Sequence, residues 1–309
     1  MDSAEPLLRL AEAAIGGESV GHVSAEGYRA GQAARRYRPE WTWIAHAEGH
    51  VVARAVWWGR PDSDRPLLLD CLWVDGSGGD QVAIAAELLV AAHRRFGESG
   101  CGLPEAFRMS VPNGWRTDET VRDAVTWRQQ AAAAVGFTHV VERLQFEWTP
   151  AAGVPEADSR LEFRAEPDDE NMLEIFRRVG DGSLDAQTRK NRSRMSPQDV
   201  ARQEMAFYLA APGERDWWRA VYRPDGALAG LAIPSATSEN PNVGYLGVVP
   251  EMRGRGYARM ILDAITRSHA GRGATRVTAT TDRDNVPMAR AFQQSGYRNT
   301  ETRLLLSAP

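Results

Sequence analysis

The sequence predicts a mixed α/β protein of two domains, each half a mixed central sheet flanked by helices. Three observations carry that expectation. The chain has 309 residues, which at about 100–200 residues per domain suffices for two. Its apolar residues switch repeatedly between the two-residue period of strands and the 3.6-residue period of amphipathic helices. The order of these segments in residues 160–308 recurs, more weakly, before residue 150, so the chain reads as an internal duplication.

In the first half, 43–46, 51–58 and 67–74 read as strands, 81–96 as a helix, 106–111 as a strand, 121–134 as a helix and 138–148 as a closing strand. The run TPAAGVPEADS at 149–159 combines two prolines, small residues and two acids, and reads as a linker. The domains are therefore expected at 1–150 and 151–309. Residues 161–165 then form a short strand, and Asp168, Asp169 and Glu170 place negative charge at the start of a helix with Met172, Ile175, Phe176 and Val179 on its apolar face. Ser196 and Pro197 start a second helix, which runs to about Leu209. Strands follow at 217–222, 228–233 and 243–249, the first two joined by the turn Pro224-Asp225-Gly226. A helix at 257–268, a strand at 276–280, a helix at 287–294 stopped by Gly296 and a strand at 298–306 complete the order βααβββαβαβ. Gly136-Phe137 and Gly296-Tyr297 introduce the similar closing strands ERLQFEW and ETRLLLS.

Composition narrows the partners. With 37 Lys and Arg against 41 Asp and Glu, the formal charge of −4 provides no basic field for nucleic acid or an anionic membrane. Cys71 and Cys101 stand apart from any CxxC or Cys/His cluster, so neither a disulfide framework nor a metal site is expected, and a reducing compartment fits. The first residues lack a basic leader pattern, and no window approaches the ~20 apolar residues of a membrane span. A cytoplasmic monomer or homodimer acting on a small molecule is the expectation.

The segment from Tyr245 to Arg259, YLGVVPEMRGRGYAR, carries the chemistry. A strand enters a turn with two glycines and two arginines, and the turn opens into a helix. Glycine lets a ligand approach the backbone, and the first helical amides have no intrahelical partner, so together they form an anion cradle. The turn lacks the Lys-Ser/Thr of a nucleoside-triphosphate loop and the full GxGxxG pattern with its acidic partner, which points to a phosphate-bearing ligand other than ATP or NAD. The corresponding turn of the first half, 74–80, holds Asp75 and Asp80 where the second has arginines, and is expected to repel a diphosphate.

The run Arg253-Gly-Arg-Gly-Tyr-Ala258 and the later TDRDNVPMARAFQQSGY resemble, in order, the two cofactor motifs of the GNAT superfamily of N-acetyltransferases. The likeness covers roughly residues 160–308. It implies a tandem GNAT fold with a degenerate first copy, similar in arrangement to mycothiol synthase and its actinobacterial relatives. It further implies acetyl-CoA as co-substrate, with the backbone of Leu246, Gly247 and Val248 pairing with the pantetheine arm. The amides of Gly254, Arg255, Gly256, Tyr257, Ala258 and Arg259 would hold the diphosphate, with help from the side chains of Arg253, Arg255 and Arg259. Asn285 would contact the pantetheine end, or simply cap a helix, and Phe292 would line the thioester channel.

The tyrosine that protonates the leaving thiolate in many members is replaced by Phe292, so Tyr245 and Tyr297 are the substitute acids on offer, though each reads first as a packed aromatic. For a base the candidates are Glu239, Asp282 and Asp284, with a water relay as the default. His269 reads as a surface cation at a helix end, and the basic run 189–194 as a solvated linker beside the acceptor. The resemblance implies an acyltransferase that moves an acetyl or short acyl group from acyl-CoA to a primary amine of a small metabolite. A non-catalytic acyl-CoA-binding regulatory module and a protein N-terminal or lysine acetyltransferase are the alternatives.

Overall fold

The computed structural model describes residues 20–21, 23–48, 50–76 and 80–309 and divides the chain into two units. Unit 1 comprises Met1–Glu142 with Glu301–Pro309, and unit 2 comprises Arg143–Thr300. The chain thus crosses between units twice, at 142/143 and 300/301, where the sequence suggested one boundary at 150/151.

Unit 1 contains α1 (Ala25–Ala33), β1 (Tyr37–Ala47), β2 (His50–Trp58), β3 (Leu68–Val74), α2 (Gln81–Glu98), β4 (Ala106–Val111) and α3 (Glu119–Ala133). Its fifth strand is the last of the chain, β11 (Arg298–Ser307), antiparallel to β4 from Thr302↔Val111 to Ser307↔Ala106. The strand order is β1-β2-β3-β4-β11. Trp57, Leu69, Leu72, Leu89, Phe107 and Met109 are fully buried at its centre, and Phe96 meets Trp57 edge-on at 5.2 Å. Burying such side chains contributes about 1.5–3 kcal/mol each. The helix α1 has no counterpart in the sequence reading. Ser24 caps it by accepting from the Gly27 amide. Of the turn at 74–80, residues 77–79 lie outside the described residues.

Unit 2 opens with β5 (His139–Trp148), followed by β6 (Glu162–Arg164), α4 (Asp169–Val179), α5 (Ala186–Arg192), α6 (Pro197–Leu209), β7 (Arg219–Tyr222), β8 (Leu228–Ala236), β9 (Pro241–Val248), α7 (Tyr257–Gly271), β10 (Val277–Asp282) and α8 (Val286–Gln294). The strand order is β5-β10-β9-β8-β7-β6. One face carries Met260, Ile261, Leu262 and Ile265 of α7 with Ala291 and Phe292 of α8; the other carries Met172, Ile175 and Phe176 of α4 with Ala201 and Met205 of α6. The expected mixed α/β architecture is present, with helices on both faces of this sheet. Each half ends in a strand that belongs to the other unit: β5 pairs with β10, and β11 with β4.

Two local expectations change. Residues 189–192 of the basic run are helical, within α5, because Asp185 caps that helix by accepting from the Thr188 amide at 2.8 Å. His269 is buried at 1% exposure rather than sitting on the surface. Its Nε2 donates to the Asn242 carbonyl at 2.8 Å and its Nδ1 accepts from Arg272, while burial pushes its pKa down to about 4. No helix among the described residues is long and apolar enough to cross a membrane.

Candidate functional site

The site is the gap where two strands of unit 2 part. Parallel β9 and β10 pair at one register point, Thr278↔Asn242, after which β10 stays with β5 through Asp282↔Arg143 and β9 stays with β8. Which backbone groups of β9 face the gap follows from the antiparallel alternation. Val249 donates to the Ala229 carbonyl, so Val249 and, two residues apart, Gly247 and Tyr245 bond toward β8. Leu246 and Val248 point the other way, into the gap. Gly247, expected to pair with pantetheine, turns its own amide and carbonyl to β8. What its missing side chain provides is space, since a Cβ there would lie 1.9 Å from Val179 Cγ1.

At the head of the gap, β9 bulges. Ile233 faces Tyr245 but Ser235 faces Asn242, so two residues of β9 oppose one of β8. Gly244 absorbs the kink at φ 69°, and Tyr208 of α6 donates to its carbonyl at 3.2 Å. Beyond the bulge, Tyr245 stacks between Phe176 at 5.5 Å and Tyr208 at 5.7 Å. Burial, reinforced by Glu204 and Asp185, holds its phenol protonated well above the ordinary tyrosine range.

At the foot of the gap, α7 begins. Among the described α-helices it alone starts without a side-chain cap, its N-cap being Gly256 at φ 79°. Gly254 is also left-handed, at φ 75°, and neither glycine has a heavy atom within 4 Å of where a Cβ would stand. Uncapped amides behind open glycines favour an anion.

These features border one cleft of about 740 Å³. Of the residues named from sequence, Tyr245, Leu246, Gly247, Val248, Arg253, Gly254, Gly256, Tyr257, Ala258, Arg259, Asn285 and Phe292 line it. Asn285 caps α8, accepting from the Met288 amide at 3.4 Å. Phe292 stacks on Phe146 of β5 at 4.9 Å, so β5 shapes the cleft wall from behind.

Other expected residues stand elsewhere or are engaged otherwise. The Arg253 guanidinium bonds the carbonyls of Val179, Asp181, Gly182 and Val248, closing the C-terminal end of α4, rather than extending freely toward a phosphate. Arg255 reaches the Glu251 carbonyl at 3.5 Å and does not line the cleft. Asp282 is 4% exposed and outside the lining, held by the Ala186 amide at 2.6 Å and Arg143 at 3.1 Å, so it has no access to a substrate in the cleft. Glu239 borders a different depression, with Trp217 and Arg272. Tyr297 is buried against Thr266 at 2.8 Å. Residues missed from sequence include Ser183, Leu184, Asp185, Thr280, Thr281 and Arg290, all in the lining. Two signals were readable: Asp185 three residues before Thr188 is a helix-start pattern, and an isolated glycine within a strand, Gly244, marks a bulge.

Comparisons with known proteins agree with this geometry. Residues 186–297 match the Acetyltransferase (GNAT) family. The fold is similar to a GCN5-related N-acetyltransferase from Sphaerobacter thermophilus, at 15% identity and TM-score 0.56, covering 92% of this chain and 85% of that one. It is also similar to a conserved protein from Staphylococcus epidermidis, at 11% identity and TM-score 0.52, over 85% and 92% of the two chains. A third similarity is to a fungal multi-domain β-N-acetylglucosaminidase with a GCN5-related glucosamine N-acetyltransferase region, at 14% identity and TM-score 0.55, over 99% of this chain and 37% of that one. The strand gap, the bulge and the uncapped helix all fall within or beside the segment, residues 186–297, that matches the Acetyltransferase (GNAT) family.

Proposed function

We propose that the chain transfers an acetyl or short acyl group from acyl-CoA to a primary amine of a small metabolite. The observation that carries this reading is the parting of β9 from β10, which leaves the Leu246 and Val248 backbone facing a cleft that ends at an uncapped helix. An extended amide-bearing arm fits such an edge as an added strand does. The open helix start and Arg259 suit the diphosphate at its far end.

In this reading the inward amides of Leu246 and Val248 fix the arm and polarise the thioester carbonyl. The Val248 carbonyl is already taken by Arg253 at 3.1 Å, which braces that part of β9. Phe292 and Leu246 keep water from the thioester. Tyr245 is the acid that returns a proton to the departing thiolate: it lines the cleft, and burial keeps it protonated. The chain supplies orientation, polarisation and one proton donor. The chemistry needs little more, because a thiol of pKa about 8.5 is a tolerable leaving group.

The test is calorimetric titration with acetyl-CoA, followed by thiol release in the presence of primary amines. Micromolar binding with amine-dependent release supports the proposal. Binding without release from any nitrogen nucleophile supports a binding module instead.

A further inference from the structure

The carboxylates named from sequence as bases, Glu239, Asp282 and Asp284, stand outside the cleft lining, yet one carboxylate does border it. Among the described residues, Asp185 is the only acidic one in the lining. The cations there, Arg253, Arg259 and Arg290, come from the helix-start turn, α7 and α8.

Its surroundings fix its orientation. Oδ1 accepts from the Thr188 amide at 2.8 Å and the Thr188 hydroxyl at 3.1 Å. Oδ2 has the Arg143 Nη2 at 3.6 Å, a distance too long for a hydrogen bond, so this oxygen retains accepting capacity. Arg143 is shared with Asp282, which its Nε meets at 3.1 Å. Behind Thr188 lies Glu204, 3.5 Å from the same hydroxyl. Asp185, Asp282 and Glu204 therefore all feel the Arg143 guanidinium, with Arg189 also acting on Asp282, while Arg192 of α5 is directed to Asp181 at 3.0 Å. The locale favours a cation. Burial, and next the Asp185 charge, push the Glu204 carboxyl up. Asp185 also acts electrostatically on Tyr245 at the bulged end of the cleft.

We infer that Asp185 receives the acceptor's ammonium group in the cleft and takes its first proton, so that the acceptor binds as a cation. The inference rests on the reading that the cleft transfers acyl groups to amines. An ammonium N–H gives its proton to Asp185 Oδ2, and the freed nitrogen lone pair attacks the thioester carbon. A C–N bond forms, the C–S bond breaks, and the sulfur leaves as thiolate. The nitrogen loses a second proton, which restores the proton Tyr245 gives to sulfur. Asp185 discharges the first to solvent.

Asp185→Asn separates charge from structure, because asparagine caps a helix about as well as aspartate. Acetyl-CoA affinity by calorimetry serves as the control for folding. Thiol release is then compared with 1,4-diaminobutane, 2-aminoethanol and glucosamine, which are cations at neutral pH, and with methoxyamine, which is uncharged. The expected result is a loss of about 100-fold in kcat/KM for a cationic amine, with a loss for methoxyamine at least about tenfold smaller. Equal losses for both nucleophile types, or none, overturn the inference. So does a wild-type protein that uses methoxyamine but no cationic amine, a result that leaves the proposed acyl transfer standing. Failure of the wild type to bind acetyl-CoA overturns that underlying reading instead.

Discussion

The two units part a parallel strand pair in the same way and then treat the gap in opposite ways. In unit 2, β9 leaves β10 after one register point and the gap stays open. In unit 1, β3 and β4 pair at Leu68↔Ala106 and Leu69↔Phe107 and then separate, β4 continuing with β11. Asp75 donates to Val52, so alternation directs Leu72 away from β2 and toward the gap, just as it directs Leu246 and Val248 in unit 2. There the carbonyl of Leu72 accepts from Arg128 Nε at 2.9 Å, and Arg128 is 1% exposed. The bulge differs too. Unit 2 has bare Gly244, whereas unit 1 has Asp70, held by two bonds from Arg108 at 2.9 and 2.8 Å and by the Tyr37 hydroxyl at 2.6 Å. At the helix start, Gly256 leaves the amides of α7 open, whereas the carboxylate of Asp80 accepts from Val82 and Ala83 at the start of α2. Unit 1 thus fills, with its own side chains, the three positions that unit 2 leaves vacant. Polar groups at a strand gap are closed to a ligand by internal satisfaction as effectively as by steric blockage.

The strongest test of this contrast is Gly256→Asp, which gives α7 the acidic cap that α2 has. A carboxylate facing the diphosphate, at a left-handed position, should weaken CoA binding by about 3–5 kcal/mol. Calorimetry on the wild type should give one CoA per chain and on the variant none; two per chain would show that unit 1 also binds. Next is Gly230→Ala. Gly230 faces Val248 as Ala53 faces Val74 in unit 1, but a Cβ on Gly230 would lie 2.0 Å from the Gly247 carbonyl. The expected cost is about 1–3 kcal/mol of stability together with weaker CoA binding, as β9 shifts toward the gap. Denaturant unfolding and calorimetry read the two effects.

Arg128→Met should cost roughly 1–3 kcal/mol in unfolding free energy by leaving Leu72 without its donor, while CoA affinity stays unchanged. A fall in affinity would mean that unit 1 takes part in binding. Tyr245→Phe should lower kcat about tenfold or more with little change in CoA affinity. The smallest effect concerns acid. His93 in unit 1 and His269 in unit 2 are both held by burial at about 4. The unfolded state therefore binds protons first, and the part of the stability set by these two histidines should fall as pH drops from about 6.5 to about 4 and level off below. His93→Phe should flatten part of that decline in pH-dependent unfolding, since its Nε2 has no partner. His269→Phe should destabilise at neutral pH too, by stranding the Asn242 carbonyl.

The strand–turn–helix of residues 245–259 was legible because its signals are local: glycines that require positive φ, and periodicities that change within a few residues. The cleft lining inherited that legibility. Arg253 did not, because whether a guanidinium reaches outward or folds back on α4 depends on partners more than seventy positions away in sequence. The same holds for Asp185, whose setting is built from Arg143 and Glu204 on other elements, and for Arg128, which reads as a surface helix residue until Leu72 is beside it. Helix α5 was obscured by its charge, since a basic run resembles a linker. The exchange of β5 and β11 left no trace, because two closing strands of similar text satisfy either sheet edge by pattern alone.

That exchange makes the halves mutually obligate. A gene fragment ending near the proline-rich connector would encode one sheet without its final strand and carry away a strand required by the other. Deletion, recombination or separate expression of either half therefore removes the last strand of both units.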